Sequence, residues 1–401
     1  MSKSFQDILI IFPGSLEFLT NRGGGREYML SKLALKLSKD FTISIVAPFF
    51  GKYYKTIKIG KITVRNIYYP AFKKYPPNSQ FVKLMQLFSI MSFYTIGVVF
   101  EILRIKQERL KLVFISDPAI GAIPGLVAKI LKLKILCYEG NVTPWAAPVS
   151  PRISIHQRIL DLFFLMLGKL TARMSDAIVV NDGLIKKGMV KQGIQENKIF
   201  VIRSLIDTQK FRPLRVETVG DEKFVVGYIG RLAEEKGAPL LLQLIKKSLK
   251  QLPEVSFIIL GDGPLKERFQ VLANVEHVGW IQHSRIPKKL NLVKVIVTFQ
   301  RSFGVGELEA LSCGKPIVAS KIGEMTELIG KTKIGLLCEP NINAYIESIR
   351  ILLKNEELLR KLSRKSRVYV LRNCSLESVC NQWKTVINYI LQGMSWWLKK
   401  E

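Results

Sequence analysis

The sequence predicts an α/β protein made of two doubly wound, Rossmann-like domains. Three observations lead to this prediction. A buried strand, a glycine-rich loop, a helix and a second strand follow one another over residues 7–47. The same alternation begins again at Phe224, after a polar segment that holds Pro213 and Gly220. Finally, a chain of 401 residues exceeds what one hydrophobic core usually accommodates.

The first half reads as an open, mostly parallel sheet with helices between its strands. Its first strand is the apolar run DILIIF, and three glycines, Gly23 to Gly25, lie in the loop before the first helix. Predicted strands lie at 7–12, 41–47, 62–68, 112–115, 134–138, 177–180 and 199–202, and predicted helices at 26–39, 81–106, 119–131, 153–174 and 184–192.

The second half repeats the pattern, with strands predicted at 224–229, 256–260, 293–298 and 317–319, a strand end at Val278 and Gly279, and helices at 239–249 and 307–312. A last helix, 376–398, is rich in bulky apolar residues that include Trp383, Trp396 and Trp397. We expect domains at 1–207 and 223–375, a linker at 208–222, and a C-terminal helix within 376–401 that packs back on the first domain.

The chain is strongly basic, with 61 Lys and Arg against 32 Asp and Glu, a net charge of +29. Residues 1–207 hold 30 basic and 13 acidic residues, so the first half carries more of the excess. Between Asp40 and Glu101 there is no acidic residue, and lysines alternate with tyrosines. This mixture suits an anionic membrane surface, at about 1 kcal/mol per cation near the lipid. A solvated basic face is the main alternative; a nucleic-acid partner is not expected, because only net charge favours it.

The five cysteines are scattered and form no CxxC pair, which predicts reduced thiols in a cytoplasmic protein without a metal site or cofactor. The first apolar run is one strand long and ends at Pro13-Gly14, so a signal peptide is not expected. The longest uncharged run, Leu84–Phe100, has 17 residues, whereas a membrane span needs about 20. It predicts a helix that is buried or lies against a lipid surface.

The segment Phe303–Gly323 predicts a binding site for a phosphate-bearing ligand. Its loop around Gly304 and Gly306 leads into a short helix, and backbone N–H groups at the start of a helix attract anions. Glu309, one turn into this helix, can accept hydrogen bonds from ligand hydroxyls. From this segment alone, an ordinary glycine-capped helix is an equal alternative.

Several motifs occur in order along the whole chain: Gly24-Gly25 with Glu27, Met174–Val180 (MSDAIVV), Val201–Pro213, Gly230-Arg231 with Lys236-Gly237, Leu260–Pro264 (LGDGP), and Glu309-Ala310 followed by Cys313–Ala319. Together they resemble the motifs of the retaining, nucleotide-sugar-dependent glycosyltransferases of family 4. Each motif alone is weak, but the order and spacing are specific. The resemblance implies the GT-B fold, in which two Rossmann-like domains face a cleft.

The resemblance also implies a donor site for a nucleotide-diphosphate sugar. Arg231 and Lys236 are expected to neutralise the diphosphate and to act in catalysis. Glu309 is expected to hold the ribose hydroxyls. No Asp-x-Asp sequence occurs, which agrees with a mechanism that uses no metal. The other residues expected around the donor are Gly24, Gly25, Gly304, Val305, Gly279 and Ile281.

Two positions depart from the family pattern. Arg301 stands eight residues before Glu309, where the family has a glutamate that contacts the donor sugar. An arginine there predicts an anionic or otherwise modified sugar, or a changed loop. Glu307 is a candidate replacement for the glutamate, although it points in a different direction along the helix.

The second departure lies in the first domain. Glu139 stands about where the family often has a histidine, and can hydrogen-bond the donor sugar or the acceptor hydroxyl, which makes it a candidate catalytic residue. A carboxylate satisfied by nearby N–H groups is an equal alternative. Asp117 is a weaker candidate of the same kind.

The sequence therefore predicts a hexosyltransferase-like enzyme that moves a sugar from a nucleotide-diphosphate donor to an acceptor hydroxyl. We expect the acceptor to be a lipid-linked glycan, or a polysaccharide or N-glycan precursor, with the enzyme bound peripherally at the cytoplasmic face of the membrane. Two other functions stay open. One is a sugar-nucleotide or glycan-binding protein without turnover, which Arg301 favours; the other is a sugar-nucleotide epimerase of the same fold.

Overall fold

The computed structural model describes residues 7–12, 25–49, 56–68, 92, 94–106, 109–141, 145, 155–214 and 224–392. The chain divides into two compact units, one comprising 1–203 with 380–401 and the other Ser204–Val379. Each unit is built on one sheet with flanking helices, as the α/β prediction requires. The predicted domain bounds at 207 and 376 lie close to these divisions and stay predictions.

The sheet of the first unit has eight strands in the order β3-β4-β2-β1-β5-β6-β7-β8, all parallel except the edge strand β3. Strand β1 is central and its Leu9, Ile10 and Ile11 are fully buried, because helices cover both faces of a parallel sheet. The strands are β1 (Asp7–Ile11), β2 (Thr42–Phe49), β3 (Thr56–Ile59), β4 (Ile62–Tyr68), β5 (Leu110–Ile115), β6 (Lys134–Glu139), β7 (Ala177–Val180) and β8 (Ile199–Val201).

The helices of the first unit are α1 (Gly25–Leu37), α2 (Thr95–Lys106), α3 (Ala122–Ile130), α4 (Ile155–Met174) and α5 (Gly183–Lys191). Helix α2 packs Val98 and Ile102 against the sheet, in one core with Leu9 and Val113. Burial of each such side chain stabilises the fold by about 1.5–3 kcal/mol. Helices α2, α3 and α4 lie side by side.

The sheet of the second unit has six parallel strands in the order β11-β10-β9-β12-β13-β14. The strands are β9 (Phe224–Ile229), β10 (Val255–Leu260), β11 (Val275–Gly279), β12 (Val295–Thr298), β13 (Ile317–Ser320) and β14 (Gly335–Cys338). The helices are α6 (Ala238–Gln251), α7 (Glu267–Gln270), α8 (Ile286–Leu292), α9 (Val305–Ser312), α10 (Gly323–Thr332), α11 (Ile342–Lys354) and α12 (Glu356–Asn373).

This strand order, counted within the unit, is 3-2-1-4-5-6, the order of dinucleotide-binding Rossmann folds. The chain starts at β9 in the middle of the sheet, winds outward through β10 and β11, and returns to place β12 on the other side of β9. Two separate apolar cores, one on Phe257 and Ile259 and the other on Ile258 and Leu260, cover the two faces. The strand order reverses between β9 and β12.

The last helix, α13 (Leu376–Gln392), belongs to the first unit from Cys380 onward. Its Trp383 is 1% exposed. The ring lies 5.1 Å from that of Phe114 and 5.8 Å from that of Tyr138, centroid to centroid. Aromatic contacts of this kind add about 0.5–1.5 kcal/mol beyond area burial, so Trp383 anchors the end of the chain on the first sheet. The predicted positions of Trp396 and Trp397 lie outside the described residues.

The helix predicted over 119–131 is present but begins later than predicted, at Ala122. A short 3-10 helix, Pro118–Ile120, comes first, and the Asp117 carboxylate accepts a hydrogen bond from the N–H of Ala119 at its start. Helix α3 then begins at Ala122. The antiparallel edge strand β3 was not predicted, because it has only four residues and they are mostly exposed. Of the predicted helix 81–106, only Thr95–Lys106 is described as α-helix, and 81–91 lie outside the described residues.

Candidate functional site

The candidate site lies at the carboxyl ends of β9 and β12 in the second unit. These strands are neighbours at the point where the strand order reverses. In open α/β sheets, ligands bind in the crevice that opens there. The loop after β9 holds Arg231 and Lys236, and the loop after β12 leads through Arg301 to helix α9. The topology therefore places the two predicted donor-binding motifs next to each other.

The loop after β9 is held by Tyr228. The hydroxyl of Tyr228 lies 3.1 Å from the carbonyl oxygen of Arg231 and 3.2 Å from that of Lys236. Burial raises the pKa of Tyr228, so the hydroxyl stays a donor. The loop ends at Gly237, whose φ is 76°. A Cβ atom there would lie 2.4 Å from the Cβ of Phe299, so only glycine fits.

Lys236 is tied to the loop after β12 through Gln300. Its Nζ donates to Oε1 of Gln300 at 2.7 Å, and Nε2 of Gln300 donates to Oε1 of Glu307 at 2.7 Å. The amide thus fixes the lysine on one side and the carboxylate on the other. Each of these two hydrogen bonds joins the neutral amide to one charged group, and such a bond is stronger than one between two neutral groups. The sequence motifs drew attention to Lys236 but not to Gln300.

Glu307 stabilises the start of helix α9. Its carboxylate is 3% exposed and accepts hydrogen bonds from Oγ1 of Thr298, from Gln300, and from the backbone N–H of Gly304 at 3.1 Å. Burial raises the pKa of Glu307, and hydrogen bonds from its own N–H, from Thr298 and from Gly304, together with nearby Lys236, oppose the rise. Three protein donors therefore occupy the carboxylate that was a candidate replacement for the family's sugar-binding glutamate. Its structural task is to cap the helix and orient Gln300.

Arg231 stands at the exposed side of the same loop. Its guanidinium lies 3.6 Å from the Glu235 carboxylate, and both side chains are more than half exposed. Exposed pairs of this kind contribute about 0–1 kcal/mol, so the pair does little to hold Arg231 in one place. The guanidinium is accessible to an incoming anion.

Glu309 is buried on helix α9, and a histidine holds one of its oxygens. Nε2 of His283 lies 2.5 Å from Oε1 of Glu309, and Nδ1 of His283 lies 2.8 Å from Nζ of Lys210. An ammonium donates to Nδ1, which leaves Nε2 to carry the proton that it donates to Glu309. Within the described ranges, Oε2 of Glu309 has no hydrogen-bond partner. That oxygen can therefore accept a hydrogen bond from a ligand.

The ring of His283 also packs on Phe211, with ring centroids 5.1 Å apart. Burial lowers the pKa of Lys210, while Glu309 and Asp207 raise it. Sequence patterns did not indicate His283 or Lys210, because they are 73 residues apart and neither belongs to a glycine-rich motif. Only the fold brings them to Glu309.

Gly279 is the last residue of β11, and Ile281 lies in the turn that follows. The carbonyl of Gly279 accepts a hydrogen bond from the N–H of Gly261 at 3.0 Å, which joins this turn to the LGDGP loop. Gly279 has a φ of 71°, and a Cβ there would meet no atom within 4 Å. Ile281 packs partly buried against the core beneath the turn. Both residues thus line an open turn at the same sheet edge.

Arg301 has an exposed side chain and a well-held backbone. Its carbonyl oxygen accepts a hydrogen bond from the N–H of Glu324 at 2.8 Å. A Cβ on Gly323 would lie 2.5 Å from the same oxygen. The first turn of helix α10 therefore fixes the main chain of Arg301, and the side chain extends into solvent.

The predicted residues of the first unit lie at a different sheet. Gly24 is outside the described residues, and Gly25 opens helix α1. At the end of β6, Glu139 accepts hydrogen bonds from the N–H of Asn141 at 2.7 Å and from Nε1 of Trp145 at 2.9 Å. Glu139 and Asp117 both raise the pKa of buried Cys137, after burial itself. The catalytic role of Glu139 stays a prediction.

Metal-ligating side chains do not cluster in the ranges that the structure describes: no group of three or more His, Cys, Asp and Glu residues is arranged to hold an ion. The five cysteines are buried and unpaired with one another. The predicted site residues that the fold does bring together in the second unit are Arg231, Lys236, Gly304, Val305, Glu307 and Glu309, with Gly279 and Ile281 at the neighbouring strand end.

The fold matches that of glycosyltransferases of the GT-B class. Residues 212–369 match the family described as glycosyl transferases group 1. The chain is 24% identical over 409 residues to an uncharacterized glycosyltransferase of Methanocaldococcus jannaschii, covering 96% of this chain and 98% of that protein.

Two further similarities extend the comparison. The chain is 28% identical over 187 residues to a component of the phosphatidylinositol N-acetylglucosaminyltransferase of Arabidopsis thaliana. That match covers 44% of this chain and spans only 41% of that protein. Among solved structures, the chain is similar to Anabaena HepE in complex with UDP, with a TM-score of 0.66 and 15% identity over 96% of this chain and all of the other. At this identity the likeness concerns the fold.

Proposed function

We propose that the protein transfers a sugar, with retention of its anomeric configuration, from a nucleotide-diphosphate sugar to an acceptor hydroxyl. The observation that carries the proposal is the arrangement of Lys236, Gln300 and Glu307, which fixes a cation beside the start of helix α9. A fixed cation next to helix N–H groups is suited to a diphosphate. UDP in the structurally similar HepE supports the same class of ligand.

In the proposed reaction, the site residues act on the negative charge that develops on the leaving group. The bond between the anomeric carbon and the diphosphate oxygen breaks, the acceptor oxygen bonds to that carbon, and the acceptor proton leaves to a base. Negative charge grows on the leaving diphosphate. Lys236, Arg231 and the N–H of Val305 stabilise it in this proposal, with protein cations in place of a metal ion. The N–H of Gly304 already donates to Glu307 and positions this loop. Each well-placed donor of this type contributes about 10²–10³ in rate in enzymes where it has been removed.

In this proposal, the nucleoside part of the donor binds to residues next to the diphosphate site. Glu309 accepts from the ribose hydroxyls through Oε2 while His283 holds Oε1. The open turn at Gly279 and Ile281 borders the base. Arg301 faces the sugar and favours one that carries negative charge. Glu139 is assigned to the sugar or the acceptor hydroxyl.

We further propose that the acceptor is a lipid-linked glycan at the cytoplasmic face of a membrane, and that the protein binds there peripherally. The basic first half of the chain supports this, since anionic lipids attract lysine and arginine. The name of the Arabidopsis relative includes phosphatidylinositol, which is a lipid.

The test is release of nucleoside diphosphate from a panel of nucleotide sugars, with and without glycan and lipid-linked acceptors. Arg231→Ala and Lys236→Ala should each reduce turnover at least a hundredfold. Lys331→Ala is the matched control, because Lys331 is exposed on helix α10 and pairs with Glu327 of the same helix. Full turnover in the Arg231 and Lys236 variants would refute the assigned diphosphate site.

The same panel separates the alternatives. Donor binding in calorimetry without turnover of any donor would favour a binding protein. Conversion of a donor without any acceptor, with the nucleotide still attached to the product, would favour an epimerase. Release of nucleoside diphosphate that depends on an acceptor supports the transferase.

A further inference from the structure

Three neighbouring helices of the first unit present a broad apolar surface to solvent. Helices α2, α3 and α4 pack side by side on one face of the sheet. At the ends of α2 and α3, Nζ of Lys106 donates to the carbonyl of Leu131 at 3.1 Å. Between α3 and α4, a Cβ on Gly125 would lie 3.2 Å from the terminal methyl of Met174. The three helices therefore form one continuous layer.

Each helix has a second apolar stripe besides the one that it buries. On α4 the exposed positions follow helical spacing, so they lie on one face. The exposed apolar side chains are Ile96, Phe100 and Leu103 on α2, Ile123, Leu126 and Ile130 on α3, and Ile159, Leu162, Phe163, Met166 and Leu170 on α4. Their exposed fractions range from 45% for Phe163 to 70% for Ile130. We call these eleven side chains the α2–α4 face.

The size of the α2–α4 face separates it from ordinary surface residues. Single exposed leucines and isoleucines are normal in soluble proteins, and the largest apolar patch of a monomer is about 300–600 Å². Eleven large side chains, each about half exposed or more, present on the order of 1,000 Å². A surface of that size marks a contact with a partner or with lipid.

The charges around the face indicate which partner. Helices α2 to α4 contain two acidic residues, Glu101 and Asp161. Glu101 is buried and paired with Arg104 and Arg65. Cations gather at the carboxyl ends of the three helices and just beyond them: Lys106, Arg109, Lys129, Lys132, Lys134 and Arg173. Two acidic residues, Glu108 and Asp176, lie among them in sequence, and Asp176 pairs with Lys134. Some of these cations also complement the helix dipoles.

We propose that the α2–α4 face is the surface on which this protein docks to an anionic lipid bilayer. Apolar side chains enter the boundary between headgroups and acyl chains, and the flanking cations contact lipid phosphates. A second copy of the chain is a poorer occupant, because it would bring a face with the same positive fringe against this one. No described helix is long and apolar enough to cross a membrane, so the proposal concerns docking alone.

This inference adds a membrane-docking surface to the proposed transfer of sugar to a lipid-linked acceptor. Only the link between docking and that acceptor rests on the proposed function. It also extends the contact from the uncharged run Leu84–Phe100, whose last residues lie on α2, to helices α3 and α4, which the sequence did not indicate. The α2–α4 face belongs to the first unit, whereas the assigned donor site belongs to the second. Donor binding and lipid binding can therefore be measured separately, and one can fail without the other.

The first experiment is flotation of the full chain with vesicles of phosphatidylcholine, with and without phosphatidylglycerol. The native protein should float with the anionic vesicles and less well at high salt. The double variant Phe163→Glu/Met166→Glu should reduce flotation at least tenfold. Val271→Glu is the matched control, since Val271 is 82% exposed in the second unit. Circular dichroism and nucleotide binding verify that each variant is folded.

The second experiment does not depend on a disruptive substitution. All five native cysteines are buried, so a cysteine placed by Met166→Cys can be labelled selectively with an environment-sensitive fluorophore. Its emission should shift to the blue on addition of anionic vesicles, and that of a label at Val271→Cys should not. An unchanged spectrum at both positions, with vesicles bound or unbound, would overturn the proposal. So would a dimer in sedimentation that the double variant dissociates while vesicle binding is absent.

Discussion

The assignment of Glu309 to the ribose leads to a prediction with a defined size. Glu309→Ala should weaken binding of the nucleoside diphosphate about ten- to a hundredfold. The structure gives the reason: Oε1 is already held by His283, and Oε2 remains to accept from the ligand. A hydrogen bond to a charged group contributes about 1.5–3 kcal/mol, and each 1.4 kcal/mol is a factor of ten.

His283→Ala tests the same oxygen indirectly. His283 does not touch the ligand in this assignment; it is a positioning residue whose side chain is 49% exposed. Solvent therefore replaces part of its contact, and the loss should be smaller, about three- to tenfold. Lys210→Ala, which removes the outer ammonium but leaves the histidine, should have less effect still.

The assay is calorimetric titration with the nucleoside diphosphate that the donor panel identifies, and with its 2′-deoxy and 3′-deoxy forms. Native protein should bind at least one deoxy form more weakly. In Glu309→Ala that difference should disappear, because the protein group and the hydroxyl form one interaction. If Glu309→Ala and native protein lose equal affinity for the deoxy forms, Glu309 does not hold the ribose. Glu339→Ala, at an exposed carboxylate of the same unit, is the control.

Four other substitutions test separate parts of the structure. Trp383→Ala should lower the free energy of unfolding by about 3–5 kcal/mol in denaturant titrations, because it removes a buried aromatic side chain and leaves a cavity. Lys315→Met should raise it by about 2 kcal/mol at pH 7, since burial lowers the pKa of Lys315 to about 8, and the gain should shrink by pH 9.5. Gln300→Leu should lower kcat/KM at least tenfold by releasing Lys236. Arg301→Glu should shift the donor preference toward neutral sugars in the panel.

The direction of the Lys315 effect follows from proton binding. Its pKa is lower in the folded state than the usual value of 10.5. Below pH 8 the lysine is charged in both states, and the full cost of burying the charge is present. Between pH 8 and 10.5 the unfolded state binds more protons, so the stability of the native protein rises toward that of the variant. A gain that is constant from pH 7 to 9.5 would contradict this reasoning.

The other substitutions have their own controls. Trp280→Ala should leave stability within about 0.5 kcal/mol, because Trp280 is 76% exposed. For Gln300→Leu, a loss of stability with unchanged donor kinetics would mean that Gln300 only supports the helix cap of Glu307. For Arg301→Glu, circular dichroism checks that the loop variant is folded, and an unchanged donor ranking would separate Arg301 from sugar selection.

Much of the fold could be predicted because its signals are local. Buried runs such as Ile8–Phe12 and Ile317–Ala319 are as long as strands, and glycine-rich loops follow them. The edge strand Thr56–Ile59 was missed because four residues are too few for its alternation to be distinctive, and its pairing with β4 cannot be read from them. At the break, a Cβ on Gly121 would lie 2.6 Å from Ile115 and 2.7 Å from Thr171, and a single sequence does not indicate such close packing.

The residues of the candidate site also differ in whether the sequence could predict them. Arg231, Lys236 and Glu309 lie in glycine-flanked motifs that can be read in the sequence. Their partners cannot be read there: Gln300 is 64 residues from Lys236, and His283 is 26 residues from Glu309. A hydrogen bond between distant residues leaves no periodicity in a single sequence. Of the α2–α4 face, the sequence indicated only Ile96 and Phe100, which lie in the uncharged run Leu84–Phe100. The parts on α3 and α4 were missed because an apolar helix residue gives the same signal whether it is buried or exposed.

At Arg301 the sequence motif and the structure can be combined. The motif places an arginine where a glutamate is usual, a change of two charges at one position. At about 4 Å from a unit charge, each of those charges is worth about 1 kcal/mol in water and about 4 kcal/mol near a protein surface. The carbonyl of Arg301 is held by the N–H of Glu324, and Gly323 packs against the same oxygen. The main chain at this position is therefore fixed by helix α10 rather than by the guanidinium. Because the backbone does not depend on the side chain, a shifted donor preference in Arg301→Glu can be attributed to charge and not to a displaced loop.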